Sequence, residues 1–184
     1  MRFELPTAML SVLLLGSACI VEAPGGASAE ERRAVTVKEV PALSVRNGAN
    51  LGGKVELTAA SVEPGRLTPG SRAQVTLYFK VLQPLDEDYH VFVHVEDVGG
   101  RMERMNMDHP PAGGRLPTSQ WKPGEVVKDE FSIYLPADAT AKALNIWLGM
   151  WDPKTDSRLP LTNPDAVRND GRNRILLAQV PVAQ

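Results

Sequence analysis

The chain has 184 residues, with 20 basic and 22 acidic side chains, a formal charge of −2 and no long like-charge run. That balance argues against a nucleic-acid partner, and the length suits one domain plus a targeting segment. A core of roughly 130 residues buries about two-thirds of its unfolded surface, enough to fold with neither disulfide nor metal.

At the N-terminus, Arg2 precedes the apolar run AMLSVLLLGSACIV, from Ala8 to Val21. A membrane-spanning helix needs about 20 apolar residues, so this run better suits the core of an export signal. LLLGSAC places small Ser17 and Ala18 directly before Cys19. It resembles the bacterial lipoprotein signal, departing from it at Gly16, where a branched aliphatic residue is usual. The resemblance implies removal of residues 1–18, lipid attachment at Cys19 and a protein anchored to the membrane at the bacterial cell envelope. The alternative is the small-x-small site at residues 27–29, where cleavage after Ala29 releases a soluble periplasmic or secreted protein. Cys19 is the only cysteine, so no intrachain disulfide forms, and lipidation gives an otherwise unpaired cysteine a role.

Residues 19–50 are rich in Gly, Pro, Ala and alternating charges and read as a flexible tether, with a short edge strand in AVTVKEV. The domain is expected over 51–184. KVELTAASVEP alternates and ends in the turn-rich EPGRLTPGS. RAQVTLYFKVLQ follows, with Ala73, Val75, Leu77, Phe79 and Val81 on one face. DYHVFVHVED should face the core through Val91, Val93 and Val95. After the turn VGGR, a return strand is expected over 102–107, then the long loop DHPPAGGRLPTSQWKPG. EVVKDEFSIYLP, AKALNIWLGMWD and RILLAQVPV complete about seven strands separated by turn signals. This pattern predicts an all-β chain, an antiparallel immunoglobulin-like β-sandwich.

YHVFVHVEDVGGRM, DHPPAGGRLPTSQWKPGEVVKDEF and WLGMWDPKTDSRLP together resemble a β-sandwich domain of exported and membrane-attached bacterial proteins, also found appended to large membrane glycosyltransferases. The resemblance covers roughly residues 55–182 and implies the sandwich fold but no particular activity. The chain departs from that pattern at Met150-Trp151 and Asp156-Ser157, and in carrying methionines where the hairpin is ordinarily polar.

Several groups are candidates for chemistry. Met105, Met107 and His109 share one face if 102–107 is a strand, and thioethers with an imidazole suit Cu(I). Methionine is equally an adaptable packing residue, and no cysteine supports a copper site. His90 and His94 stand about 13 Å apart on an extended strand, too far to chelate one ion. His94 could instead meet Asp108 or His109 across the hairpin, as half of a general-base pair or as a structural bond tying the loop to the sheet. His94, Asp108 and Trp121 are accordingly read as loop anchors. Trp147 and Trp151 share a strand face with Gly149; with Trp121 they could stack on sugar rings or fill the core. Ser119 lies near His109 in sequence but lacks a nucleophile elbow, and DAVRNDGRN fails the calcium-loop spacing. The sequence therefore predicts no catalytic residues and no cofactor. It predicts an exported, lipid-anchored envelope protein with a binding or structural accessory role toward an envelope protein or a glycan. The alternatives are a carbohydrate-binding module using exposed tryptophans and a Met/His copper-binding protein.

Overall fold

The computed structural model describes residues 26–42 and 45–183. Cys19, the export signal and the lipidation signal lie outside the described residues. The chain runs α1 (Ala29–Val35), β1 (Thr36–Val37), β2 (Val45–Leu51), β3 (Val55–Glu63), β4 (Arg72–Val81), β5 (His90–Asp97), β6 (Met105–Asn106), β7 (Val126–Tyr134), β8 (Ala143–Asp152), β9 (Ser157–Arg158) and β10 (Ile175–Pro181). Two antiparallel sheets form, one ordered β1-β7-β4-β3-β2 and the other β10-β8-β5-β6, with β9 also pairing with β8. The chain is a β-sandwich, as its strand periodicity predicts. Seven of these strands have seven or more residues and three have only two.

Alternation decides which face is buried. Ala73, Val75, Leu77, Phe79 and Val81 of β4 are almost fully buried, as are Val91, Val93 and Val95 of β5 and Leu144, Ile146, Leu148 and Met150 of β8. These belong to one hydrophobic cluster. Side chains two apart on a strand share a face, so the two sets meet across the sandwich.

Two expectations need correction. The segment read as a tether over 19–50 forms the edge strand expected in AVTVKEV, as β1, but also contributes α1 and β2, so the fold takes in residues well before 51. Ser28 caps α1, its Oγ accepting from Glu31 N at 3.1 Å while Glu31 Oε2 accepts from Ser28 N at 2.8 Å. This reciprocal pair satisfies donors that a helix start leaves open. Arg32 then donates to both carboxylate oxygens of Glu125 at 2.8 Å, Val35 is buried, and β1 extends the first sheet beside β7. Composition misses this because the segment's partners, Gln120, Glu125 and Val127, are distant in sequence. The second correction concerns the return strand over 102–107: only Met105 and Asn106 form a ladder, opposite Val95 and His94. Beyond them the Asp108 side chain replaces a backbone acceptor, Oδ1 taking the Val93 N–H at 2.9 Å.

Candidate functional site

Met105 lies opposite Val95, the Met107 N–H donates to Val93 O, and His109 bridges Val91. All three partners are core residues, so Met105, Met107 and His109 share the inward face. Met105 and Met107 are half-buried against the hydrophobic cluster, which is a packing role. His109 Nδ1 lies 2.7 Å from Met107 O and Nε2 lies 2.9 Å from Asp129 Oδ2. Both neighbours are acceptors, so this geometry suits the doubly protonated ring. Burial pushes the His109 imidazole down, but the hydrogen bond and charge of Asp129 outweigh it and the net shift is upward. Neither ring nitrogen is open to a metal. Among the described residues no group of three or more His, Cys, Asp or Glu side chains could hold a metal ion.

Trp121 is 3% exposed, donates from Nε1 to Leu116 O at 2.9 Å and packs against Phe79 at a ring separation of 5.9 Å. It anchors the long loop and offers no face to a ligand. Thr118, fully buried, pins the same loop by accepting from Tyr89 N and donating to Glu87 O, both at 2.7 Å. Ser119 bonds to Asp88 rather than to a histidine. Asp108 is a loop anchor through Val93; His94 is not.

His94 instead belongs to the outer face of the second sheet, where Phe92, His94, Trp147 and Trp151 project. Phe92 and His94 are nonetheless buried, because side chains from later in the chain cover them. β9 and β10 pair with the same strand, β8, at Trp151–Asp152 and at Ala143–Leu148 respectively. Around the gap between them stand Arg158, at the end of β9, and Arg172 and Arg174, just before β10. The Arg158 guanidinium sits over the Phe92 ring, 4.5 Å from its centroid, and Arg174 sits 5.1 Å from that of Trp147. Gly149 makes this layering possible: a Cβ there would meet Phe92 Cζ at 2.4 Å and Asn173 O at 2.9 Å.

Arg174 Nη1 lies 3.2 Å from His94 Nδ1. Since arginine can only donate, Nδ1 accepts and the ring proton resides on Nε2. Burial, followed by the charge of Arg104, holds the His94 pKa below its ordinary value, so the ring is neutral near pH 7. Arg174 is paired with two carboxylates, bonding Glu96 Oε1 and Asp170 Oδ2 at 2.6 Å each. Around it lies a depression of about 190 Å³ lined by His94, Glu96, Arg104, Arg158, Arg172 and Arg174. An adjoining one of about 190 Å³ shares His94, Arg104 and Arg158 and adds Phe92, Asp108, Trp151 and Asp156. Trp151 is half-buried and meets His90 edge-on at 6.3 Å.

The sequence set His94 opposite the core-facing valines and put Trp147 and Trp151 on one strand face, without deciding whether that face is core or surface, and it missed the arginines that make this face a site. GRNR carried the available signal: Arg172 and Arg174 stand close together in a bend just before β10. Asp129 was also missed, though in VVKDEFSI it occupies the period of Val127 and Ile133 and puts a carboxylate at an inward position.

No family model matches the sequence, and no curated protein matches it. Among solved structures, the C-terminal domain of Wzt is similar to 78% of the chain, over 80% of that domain, at 12% identity and a TM-score of 0.52. A CARDB domain from Pyrococcus furiosus, in complex with di-metal ions, is similar to 79% of the chain, over 100% of that domain, at 15% identity and a TM-score of 0.36. The likeness to the Wzt domain is one of fold.

Proposed function

We propose that the protein is an exported envelope protein, lipid-anchored through Cys19, whose sandwich is a non-catalytic binding module. The observation that carries the reading is the open depression on the outer face of the second sheet. It gathers guanidinium, imidazole and indole groups, and its one histidine is engaged, His94 Nδ1 accepting from Arg174. A face of forked donors beside an indole binds ligands by hydrogen bonding and stacking. Glycans of the cell surface are the partner class this chemistry favours, with Trp151 in the role that exposed tryptophans were expected to fill.

The α1 cap supports processing at Cys19 over cleavage after Ala29. The later cut removes Ser28 and Ala27, whose N–H donates to Gln120 Oε1 at 2.6 Å, and so dismantles the start of an ordered helix. The anchor is tested by fractionation: wild-type protein should sediment with membranes and Cys19→Ala should not. Wild-type protein found soluble after export removes the anchor. The module is tested by co-sedimentation of purified protein with an envelope polysaccharide preparation; no association, or depolymerisation of the glycan, overturns the non-catalytic binding role.

A further inference from the structure

The depression around Arg174 is lined by four arginines and one carboxylate, Glu96. Arg174 is paired with Glu96 and Asp170, which leaves Arg104, Arg158 and Arg172. Among the described residues none of these three forms an ion pair with a carboxylate. Like charges gathered around one small concavity repel one another, and an anion placed between them relieves that repulsion. Arg158 is already oriented: its Nη1 donates to Arg172 O at 3.0 Å and its plane lies over Phe92. Its remaining donors are therefore presented with little further loss of side-chain freedom. His94 forms part of the wall as a neutral ring whose proton is on Nε2, so it adds a donor group without adding to the repulsion.

The neighbouring half is mixed: it shares Arg104 and Arg158 and adds Asp108 and Asp156 beside Trp151, and those carboxylates accept hydrogen bonds from hydroxyls. A ligand that satisfies both halves carries an acidic group at one end and hydroxyls a few ångströms away, on a body able to lie against an indole.

We propose that this double depression binds an acidic sugar, its carboxylate or phosphate ester seated among Arg104, Arg158 and Arg172 and its hydroxyls directed to Asp108 and Asp156. The inference rests on the reading of the domain as a binding module and names the ligand class of that same site. Guanidinium forks match both oxyanions, so the acidic group has two candidate sources, a uronic acid and a sugar phosphate.

The test is calorimetric titration of the full-length protein with trigalacturonic acid, galactose 6-phosphate and the neutral galactotriose, alongside Arg104→Gln, Arg158→Gln and Arg172→Gln variants. At least one acidic ligand should bind about tenfold or more tightly than galactotriose, and each variant should weaken it by about tenfold, the worth of one charge-assisted contact. Arg104 and Arg172 are exposed, so their variants should unfold at the wild-type denaturant midpoint, separating lost binding from lost folding. Preference for the trimer over the phosphate identifies a uronate, and the reverse a phosphate ester. Equal binding of acidic and neutral sugars, acidic binding undiminished in the triple arginine variant, or binding of neither acidic ligand overturns the inference. If the envelope polysaccharide still co-sediments with the protein, the binding-module reading survives that failure; if it does not, both fall.

Discussion

His109 and Asp129 join the two sheets: Nε2 of the histidine, beyond the β6 edge, lies 2.9 Å from Oδ2 of a fully buried carboxylate on β7. The other oxygen, Oδ1, accepts the Ala112 N–H at 2.8 Å, so one carboxylate holds both the sheet edge and the start of the long loop. Removing it leaves an imidazole and a backbone donor without their acceptor. Asp129→Ala should cost about 3 kcal/mol, the lower end for a broken buried pair, because His109 can shed its proton. Urea denaturation checks this, and a loss below about 1 kcal/mol is the range of an exposed pair and contradicts it.

The same pair makes stability depend on pH. Because the folded pKa of His109 is raised, its contribution is fully present below the unfolded value of about 6.5 and is lost as pH rises through the folded value. The difference in unfolding free energy between wild type and His109→Gln should therefore shrink across that interval, while His94, with its depressed pKa, is common to both proteins. A difference that grows with pH contradicts the assignment.

What could be read from the sequence follows the range of the interactions involved. Strand alternation is local, and the burial of Val91, Val93 and Val95 against β4 was legible from period alone. That Met105, Met107 and His109 share one face was equally legible; that the face points inward and that His109 ends on Asp129 were not, since the partner is 20 residues away in another sheet. The outer face shows the limit more sharply. His94 and Phe92 look solvent-facing by period, yet both are buried beneath arginines 80 and 66 residues further on (174 − 94 and 158 − 92). The sequence pattern put Arg158 in a turn and Arg174 at the start of the last strand but could not say which sheet face they would cover.

Trp121 is a core residue, and its replacement should read as one. Trp121→Ala should destabilise by about 3–5 kcal/mol, whereas Trp121→Phe, which keeps the contact with Phe79 and loses the bond to Leu116 O, should cost about 1–2 kcal/mol. In Trp147→Phe, Trp151→Phe double-variant protein, fluorescence from Trp121 should be blue-shifted and poorly quenched by iodide. Ready quenching would show the indole to be exposed.

Met105 and Met107 pack, so leucine should serve nearly as well. The Met105→Leu, Met107→Leu double variant should lose less than about 1.5 kcal/mol, as volume-conserving core exchanges do. With both His109 nitrogens already engaged, the wild type should hold no stoichiometric Cu(I) against a chromophoric chelator. Uptake that disappears in the double variant would restore the copper reading.

Gly149 is where packing and the proposed site meet. It pairs with Phe92 across the β5–β8 ladder, and the Phe92 ring lies directly over it. A Cβ at this position cannot be accommodated by a small rotation, because Asn173 O, a backbone atom, blocks the other side. Gly149→Ala must therefore push Phe92 outward, and Arg158, stacked on that ring, moves with it. The expected cost is about 1–3 kcal/mol, that of overpacking, measured as a lower denaturant midpoint. Phe92→Leu in the same chain removes the clashing ring carbons and should recover part of the loss. Binding of an acidic sugar should not recover with it, because the flat platform that orients Arg158 is gone. If stability and binding return together, Arg158 is positioned by something other than its stack on Phe92.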